Sequence, residues 1–182
     1  MITLVLGGAR SGKSAVAERL AARLPAPVTY VATANVADPE LDPDMAGRIA
    51  AHRARRSTEW RTLEIGGGRP PDFSAGDRRP GNDLAANLSG LRGSVLVDAL
   101  GTWVAGCPDF NVDIAGLCRA LSGRPGDSVV VSDEVGMGVH PTTGVGRRFR
   151  DVLGEVNQAV AAIADDVVLV VAGRILRLDP LP

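Results

Sequence analysis

A glycine-rich stretch near the start of the chain constrains its fold more than any other feature. Residues 7–14 read GGARSGKS, which fits the spacing G-x-x-x-x-G-K-[ST]. The apolar run ITLVL precedes this stretch directly, and a segment with helical spacing follows it. Backbone N–H groups in a turn between a strand and a helix can surround an anion, and the helix N-terminus adds positive potential. The stretch therefore predicts a strand–turn–helix unit that binds the phosphates of a nucleoside triphosphate.

Lys13 and Ser14 are the residues of this loop with predicted chemical roles. Lys13 is expected to reach the β- and γ-phosphates, and the Ser14 hydroxyl is expected to ligate Mg²⁺. The alternative is a tight turn whose glycines serve only backbone geometry. That alternative leaves the Lys-Ser pair at the helix start unexplained, so a phosphate-binding loop (P-loop) is the better interpretation.

Five short apolar runs predict the strands of an α/β fold. The runs are almost continuously apolar, which is typical of parallel strands covered by helices on both faces. An apolar stripe over residues 145–164 predicts a long helix, and a second helix is expected between the P-loop and Pro25. We therefore predict one domain over residues 1–182 with a P-loop NTPase (RecA-like) architecture, a mostly parallel sheet with helices on both faces. The predicted strands start at Ile2, Val28, Ser94, Ser128 and Asp166, and a short edge strand is expected near residues 176–182.

Charge and hydropathy exclude several classes of partner. The formal net charge is -1 at pH 7, so no overall basic excess favours nucleic acid or an anionic membrane. No apolar run approaches the roughly 20 residues that span a bilayer, and the N-terminus carries no secretion signal. We therefore expect a cytoplasmic protein without a nucleic-acid partner. Cys107 and Cys118 form no metal-binding or disulfide pattern and are expected to be core or incidental thiols.

Acidic residues follow two of the predicted strands. Asp98 ends the run SVLVD and is the best candidate for the carboxylate that a P-loop enzyme needs near its metal, although it could also only cap the next segment. Asp133 and Glu134 end the run SVVVS and form a second acidic point at the edge where α/β sheets bind ligands. A turn with solvated acids explains this second pair nearly as well.

A histidine lies among arginines on a predicted helix over residues 42–56. His52 follows Arg48 by one turn and precedes Arg56 by one turn, so the three side chains project along one side. A neutral imidazole in this place could attack a phosphorus atom while the guanidinium groups hold the phosphates. The spacing alone also fits a half-buried packing histidine beside a solvated basic face, so both interpretations stay open.

A second histidine and three arginines lie farther along the chain. His140 is followed by proline in a predicted loop, where a structural role is favoured. Arg147, Arg148 and Arg150 open the long helix, although positive charge there opposes the helix dipole. They indicate a bound anion, a subunit contact, or simple tolerance at an exposed turn. Residues 66–81, rich in Gly, Pro and charge, predict a surface loop.

Several segments together resemble one enzyme family along nearly the whole chain. They are GGARSGKS, YVAT, RIAAHRARR followed by EWRTLE, VLVDALGTW, DEVGMGVHP and the region from GRRFRD to VVLVVAG. This set is similar to the bifunctional adenosylcobinamide kinase and adenosylcobinamide-phosphate guanylyltransferase of cobalamin biosynthesis. The histidine helix and the EVGMG loop are more specific to that family than the P-loop, which many NTPases share.

The resemblance implies two reactions and a set of site residues. A nucleoside triphosphate, ATP or GTP, phosphorylates adenosylcobinamide, and GMP is then transferred from GTP to that phosphate through a GMP-histidine intermediate. By its place in RIAAHRARR, the intermediate is expected on His52, with Lys13 as the second catalytic residue, Mg²⁺ on Ser14 and Asp98, and a homotrimeric assembly. The implied nucleotide contacts are Gly7, Gly8, Ala9, Arg10, Ser11, Gly12, Lys13, Ser14, Ala32, Thr33, Ala34, Arg53, Ala54, Arg55, Arg56, Glu64 and Asp98.

Some positions differ from the commonest pattern of this family, and two rival functions remain to be weighed. Residues 99–103 read ALGTW where the family often carries CLTLW, and Asp133 stands where Asn is frequent. A P-loop kinase with a single activity would leave His52 a packing residue. A GTP-binding regulatory or metallochaperone module would use hydrolysis as a switch, but the chain lacks the guanine-reading N-K-x-D sequence of such switches.

Overall fold

The computed structural model describes residues 1–34, 47, 50, 57–65 and 83–180. The predicted nucleophile His52 lies outside the described residues, as do the nucleotide contacts expected at residues 53–56. The loop predicted over residues 66–81 also lies outside them.

Seven strands and five helices have bounds within the described residues, and residues 47 and 50 are also helical. The strands are β1 Ile2–Gly7, β2 Val28–Ala32, β3 Arg61–Glu64, β4 Ser94–Asp98, β5 Ser128–Asp133, β6 Asp166–Val171 and β7 Arg174–Arg177. The helices are α1 Lys13–Ala21, α2 Leu84–Gly90, α3 Leu100–Ala105, α4 Ile114–Gly123 and α5 Gly144–Ile163, with a 3₁₀ turn at Pro108–Phe110.

The strands form one sheet in the order β3-β2-β4-β5-β1-β6-β7. Every neighbouring pair is parallel except β6 and β7, which are antiparallel. The first strand therefore lies inside the sheet, between β5 and β6. Because parallel strands end at the same edge, the loops after β1, β2, β4 and β5 share one side of the molecule.

Alternate residues of the strands pack into two separate apolar layers. Val5 and Val131 contact the layer that contains helix α1, whereas Leu4 and Val130 contact the layer built by helices α2 to α5. Side chains alternate across a strand, so this division places helices on both faces of the sheet. The predicted α/β fold class, a mostly parallel sheet covered on both faces, is confirmed.

The differences from the predicted elements lie at the sheet edges. All five predicted apolar runs are strands, and the long helix runs from residue 144 to 163. Strand β3 was not predicted because Arg61, Thr62 and Glu64 are polar and exposed, as befits an edge strand. The expected edge strand near the C-terminus is β7, which starts two residues earlier than the predicted segment and is exposed along its length.

Two further observations concern membranes and thiols. None of the helices among the described residues is long and apolar enough to cross a membrane. Neither cysteine forms a disulfide bond. Burial raises the pKa of Cys107 to about 11 and also raises the pKa of Cys118. The thiols therefore stay protonated near neutral pH, as expected for side chains that fill the core.

Candidate nucleotide site

The glycine-rich stretch forms a tight turn between β1 and α1. Arg10 and Gly12 have positive φ angles of 57° and 92°, and the left-handed region at Gly12 suits a residue without Cβ. A Cβ on Gly7 would lie 2.5 Å from the Ser11 Oγ and 2.9 Å from the Val170 carbonyl oxygen. The turn therefore requires glycine at both ends of the motif, for steric reasons at the first and for backbone geometry at the second.

Lys13 is held at the mouth of this turn. Its Nζ lies 2.7 Å from Asp133 Oδ1 and donates to the Gly8 carbonyl at 3.2 Å. The parallel register of β1 with β5 pairs Gly7 with Asp133, which brings this carboxylate beside the P-loop. Asp133, one of the two acids predicted at the end of this strand, therefore contacts the P-loop lysine. The pair Asp133 and Glu134 is thus not simply a turn with solvated acids.

Ser14 and Asp98 face each other across the site. The Ser14 hydroxyl donates to Asp98 Oδ1 at 3.3 Å, and the buried Tyr30 hydroxyl donates to Asp98 Oδ2 at 2.6 Å. A hydroxyl and a carboxylate are oxygen ligands of the kind that Mg²⁺ accepts, with phosphate oxygens and water completing its shell. These two residues therefore fit a magnesium site of the P-loop type.

The other described residues predicted to contact nucleotide lie at the same sheet edge. Ala32 ends β2 and is in register with Asp98 on one side and with Glu64 on the other. The Thr33 side chain is buried, and its Oγ1 donates to the Ala99 carbonyl at 2.5 Å and lies 2.6 Å from Thr102 Oγ1. The Thr33 hydroxyl therefore joins β2 to α3, and the Thr33 backbone N–H donates to the Asp98 carbonyl at 3.3 Å.

Three residues that support this edge were not predicted from the sequence. Tyr30 fixes the Asp98 carboxylate, as described above. Gly101 leaves room for the Asp133 carboxylate, which a Cβ at that position would meet. Asn157 on α5 donates to the Asp133 carbonyl at 3.1 Å and accepts from Ser132 Oγ at 2.5 Å. Of these three, Asn157 could have been found from the sequence. It interrupts the apolar stripe of α5, and a polar group buried there needs hydrogen-bond partners.

The segment between β5 and α5 is fixed at both ends. The Glu134 backbone N–H donates to the Gly7 carbonyl at 3.1 Å. At the other end, the Arg147 guanidinium donates to the carbonyls of residues 141 and 142 at 3.1 and 3.0 Å, and Arg150 NH1 lies 2.8 Å from His140 Nδ1. Arg147 and Arg150 therefore hold this segment, and His140 has the structural contact expected of it.

Comparison with known proteins agrees with this geometry. The family model described as cobinamide kinase / cobinamide phosphate guanyltransferase (CobU) matches residues 3–178. The bifunctional adenosylcobalamin biosynthesis protein CobP of Pseudomonas aeruginosa is 40% identical over 188 residues, covering 100% of this chain and 99% of that protein. The bifunctional adenosylcobalamin biosynthesis protein CobU of Salmonella typhimurium is 38% identical, covering 95% of this chain and 97% of that protein.

A solved structure supports the fold alone. A protein of Pyrococcus horikoshii OT3 superposes with a TM-score of 0.52 at 8% identity, covering 97% of this chain and 84% of that chain. The family match and the full-length relatives go further than the fold. Together with the P-loop geometry, they show that the chain belongs to the cobinamide kinase / cobinamide phosphate guanyltransferase family of adenosylcobalamin biosynthesis.

Proposed function

We propose that this chain performs both reactions of its family at a single triphosphate site. One observation carries the proposal: Lys13 lies 2.7 Å from Asp133, and Ser14 lies 3.3 Å from Asp98, at the same edge of the sheet. Both reactions start from a nucleoside triphosphate and differ in the phosphorus atom that is attacked. One cradle for the phosphates therefore serves both, provided that two different nucleophiles reach it.

In the kinase reaction, the hydroxyl of adenosylcobinamide attacks the γ-phosphorus of ATP or GTP. Lys13 offsets the charge on the phosphate oxygens as the bond to the β-phosphate oxygen breaks. Mg²⁺, held by Ser14 and Asp98, would neutralise further charge on the triphosphate. The contacts proposed for the nucleotide are those at residues 7–14, 32–34, 53–56, 64 and 98.

In the guanylyl transfer, the proposed nucleophile is the imidazole of His52. It forms a P–N bond to the α-phosphorus of GTP, and the bond between the α-phosphorus and the bridging oxygen breaks to release pyrophosphate. A phosphate oxygen of adenosylcobinamide phosphate then attacks the same phosphorus and frees the imidazole. The motif RIAAHRARR supports this assignment, together with the family to which the chain belongs.

We also propose that the enzyme is a cytoplasmic homotrimer, as the family resemblance implies. The strand β7 supports a subunit contact because it is the outer strand of the sheet among the described residues, and its Ile175 and Leu176 are 53% and 58% exposed. The turn before this strand touches the nucleotide site, since the Gly173 N–H donates to the Ser11 carbonyl at 2.8 Å. A subunit that covers β7 would therefore adjoin the P-loop.

The histidine nucleophile is tested by labelling with GTP that carries ³²P at the α position. The wild-type protein should acquire a label that is labile in acid and stable in alkali, whereas GTP labelled at the γ position should leave none. His52→Ala should lose the label. The chain has two histidines, so His140→Gln is a matched control and should be labelled like the wild type.

The result that refutes this mechanism is equally distinct. Undiminished labelling of His52→Ala would exclude His52 as the nucleophile. A wild-type protein that transfers γ-phosphate but never acquires the α-label would be a kinase without the second activity. Adding adenosylcobinamide phosphate to labelled enzyme should discharge the label, which tests the acceptor in the same assay.

A further inference from the structure

Three acidic side chains lie at the carboxyl ends of β4 and β5, and two of them are bonded to other residues of the candidate site. Asp98 binds the serine and tyrosine hydroxyls of the metal site, and Asp133 pairs with the P-loop lysine. The third is Glu134, the first residue after β5, whose Oε1 accepts from the Gly136 N–H at 2.6 Å. Its carboxylate is thus held by a neutral donor of its own loop, apart from both the lysine and the metal ligands.

Glu134 also lies on the side from which an acceptor must approach. The P-loop lysine marks the β- and γ-phosphates, and its ammonium contacts Asp133, the residue directly before Glu134. The Glu134 backbone is bonded to the first residue of the P-loop at 3.1 Å. An attacking hydroxyl comes in line with the bond that breaks, opposite the β-phosphate, and Glu134 directly follows the residue that contacts the lysine of these phosphates.

The same segment presents apolar side chains to solvent. Met137 and Val139 are 77% and 96% exposed, while the segment around them is fixed at Glu134 and by two arginines of α5. Single exposed apolar residues are common on protein surfaces. Two of them on a loop that starts beside the P-loop suit a substrate with a large apolar body, and a corrinoid has a methylated ring edge of this kind.

We propose that residues 134–139 form the acceptor side of the site, in which Glu134 accepts the hydrogen of the adenosylcobinamide hydroxyl and Met137 and Val139 contact the corrinoid ring. The proposal rests on the proposed function of the chain as a kinase and guanylyltransferase. It adds a catalytic residue that serves only one of the two reactions, together with a binding surface that serves both.

The chemical step balances without any further reactant. The hydroxyl oxygen forms a bond to the γ-phosphorus, and the bond between the γ-phosphorus and the β-phosphate oxygen breaks. The hydroxyl proton moves to the Glu134 carboxylate and is then lost to water, while the nucleoside diphosphate leaves. Guanylyl transfer needs no such base, because its acceptor is a phosphate oxygen that is already ionised.

The decisive variant is Glu134→Gln, whose amide oxygen can still accept from the Gly136 N–H. The kcat for phosphorylation of adenosylcobinamide should fall about 100-fold, the lower range for loss of a general base. Labelling of the enzyme by α-labelled GTP, and GMP transfer to preformed adenosylcobinamide phosphate, should stay within threefold of wild type. Glu134→Asp should recover part of the kinase rate, and Glu155→Gln, an exposed acid on α5, should behave like the wild type.

The outcomes separate this proposal from the function on which it rests. A Glu134→Gln enzyme with kinase kcat within threefold of wild type would overturn the catalytic role. Loss of the α-label in that variant would also overturn it, because the residue would then act on the nucleotide and not on the acceptor. A wild-type enzyme without any α-label would instead refute the proposed function while leaving the kinase comparison measurable.

The binding surface is tested by the double variant Met137→Ser with Val139→Ser. Loss of two apolar contacts should raise the KM for the corrinoid about tenfold or more in both reactions. The KM for GTP should not change, which provides an internal control for folding of the site. Unchanged corrinoid KM values would show that these side chains do not contact the substrate.

Discussion

The two ends of the sheet hold polar groups in opposite ways. At the carboxyl end, the P-loop serine and lysine make hydrogen bonds of 3.3 and 3.2 Å, and the lysine also makes an ion pair that a phosphate could replace. At the amino end, Arg124 binds backbone carbonyls that no ligand replaces. The Arg124 Nη2 donates to the Gly93 carbonyl at 2.6 Å, and its Nη1 donates to the carbonyls of residues 126 and 127 at 2.9 and 3.0 Å.

This difference separates residues that bind ligands from residues that hold the fold. Arg124 is only 7% exposed, and burial lowers its pKa while nearby Asp127 acts in the opposite direction. Hydrogen bonds to several carbonyl acceptors offset the cost of burying the guanidinium. Because these carbonyls precede β4 and β5, the arginine joins the starts of the two strands. At the carboxyl end, the partners of the lysine and serine are few and exchangeable, because a triphosphate must take their place.

The largest effect that tests this contrast is expected from Lys13→Ala. Loss of the ammonium removes charge stabilisation at the phosphates, so kcat/KM should fall about 1,000-fold in both reactions. The midpoint of thermal unfolding should change little, because among the described residues the Lys13 ammonium contacts the Gly8 carbonyl and the partly exposed Asp133 carboxylate. Steady-state kinetics and calorimetry measure the two quantities on the same sample.

A matched control for Lys13→Ala is Arg119→Ala, which removes an exposed cation whose ion pair with Asp113 is 3.8 Å long. Surface pairs of this kind contribute little, so both activity and stability should stay near wild type. If Lys13→Ala unfolded at a much lower temperature, the carboxyl end would also be a structural element and the contrast would fail.

The second-largest effect is expected from Arg124→Met at the amino end, which should lower stability and leave activity unchanged. Arg124→Met leaves at least three backbone carbonyls without their donor, and the free energy of unfolding should fall by about 3 kcal/mol. Below the unfolding transition, kcat and KM should match the wild type, because the substitution lies at the far end of the sheet from the P-loop. Denaturant titration followed by assays at low temperature would reveal either outcome, and Arg119→Met is its surface control.

Sequence patterns predict more of the residues at the carboxyl end of the sheet than at the amino end. The P-loop and Asp98 could be located because their chemistry depends on local order: a strand, a glycine turn, or an acid after an apolar run. The pairing of Lys13 with Asp133 could not, because it depends on β5 lying next to β1 across more than a hundred residues of chain. Arg124 gave no signal at all, since a lone arginine after a helix is ordinarily solvated.

The smallest effect is expected from a substitution of Tyr30. This residue lies at the carboxyl end of the sheet but is buried, as Arg124 is at the amino end. Its hydroxyl donates to Asp98 at 2.6 Å, so it orients a proposed metal ligand. Tyr30→Phe should lower the free energy of unfolding by about 1 kcal/mol. It should also raise the Mg²⁺ concentration for half-maximal kinase activity about tenfold, as the loss of a hydrogen bond to a ligand does.

The magnesium titration of Tyr30→Phe decides whether the hydrogen bond from Tyr30 to Asp98 serves metal binding or only the stability of the fold. A shift in Mg²⁺ dependence together with a small loss of stability would place Tyr30 in both groups, as a structural residue whose bond positions Asp98. A loss of stability with unchanged Mg²⁺ dependence would show that this bond only supports the fold. In that case the position of Asp98 for metal binding would not depend on the Tyr30 hydroxyl, and the strand register that pairs Asp98 with Ala32 would contribute to it instead.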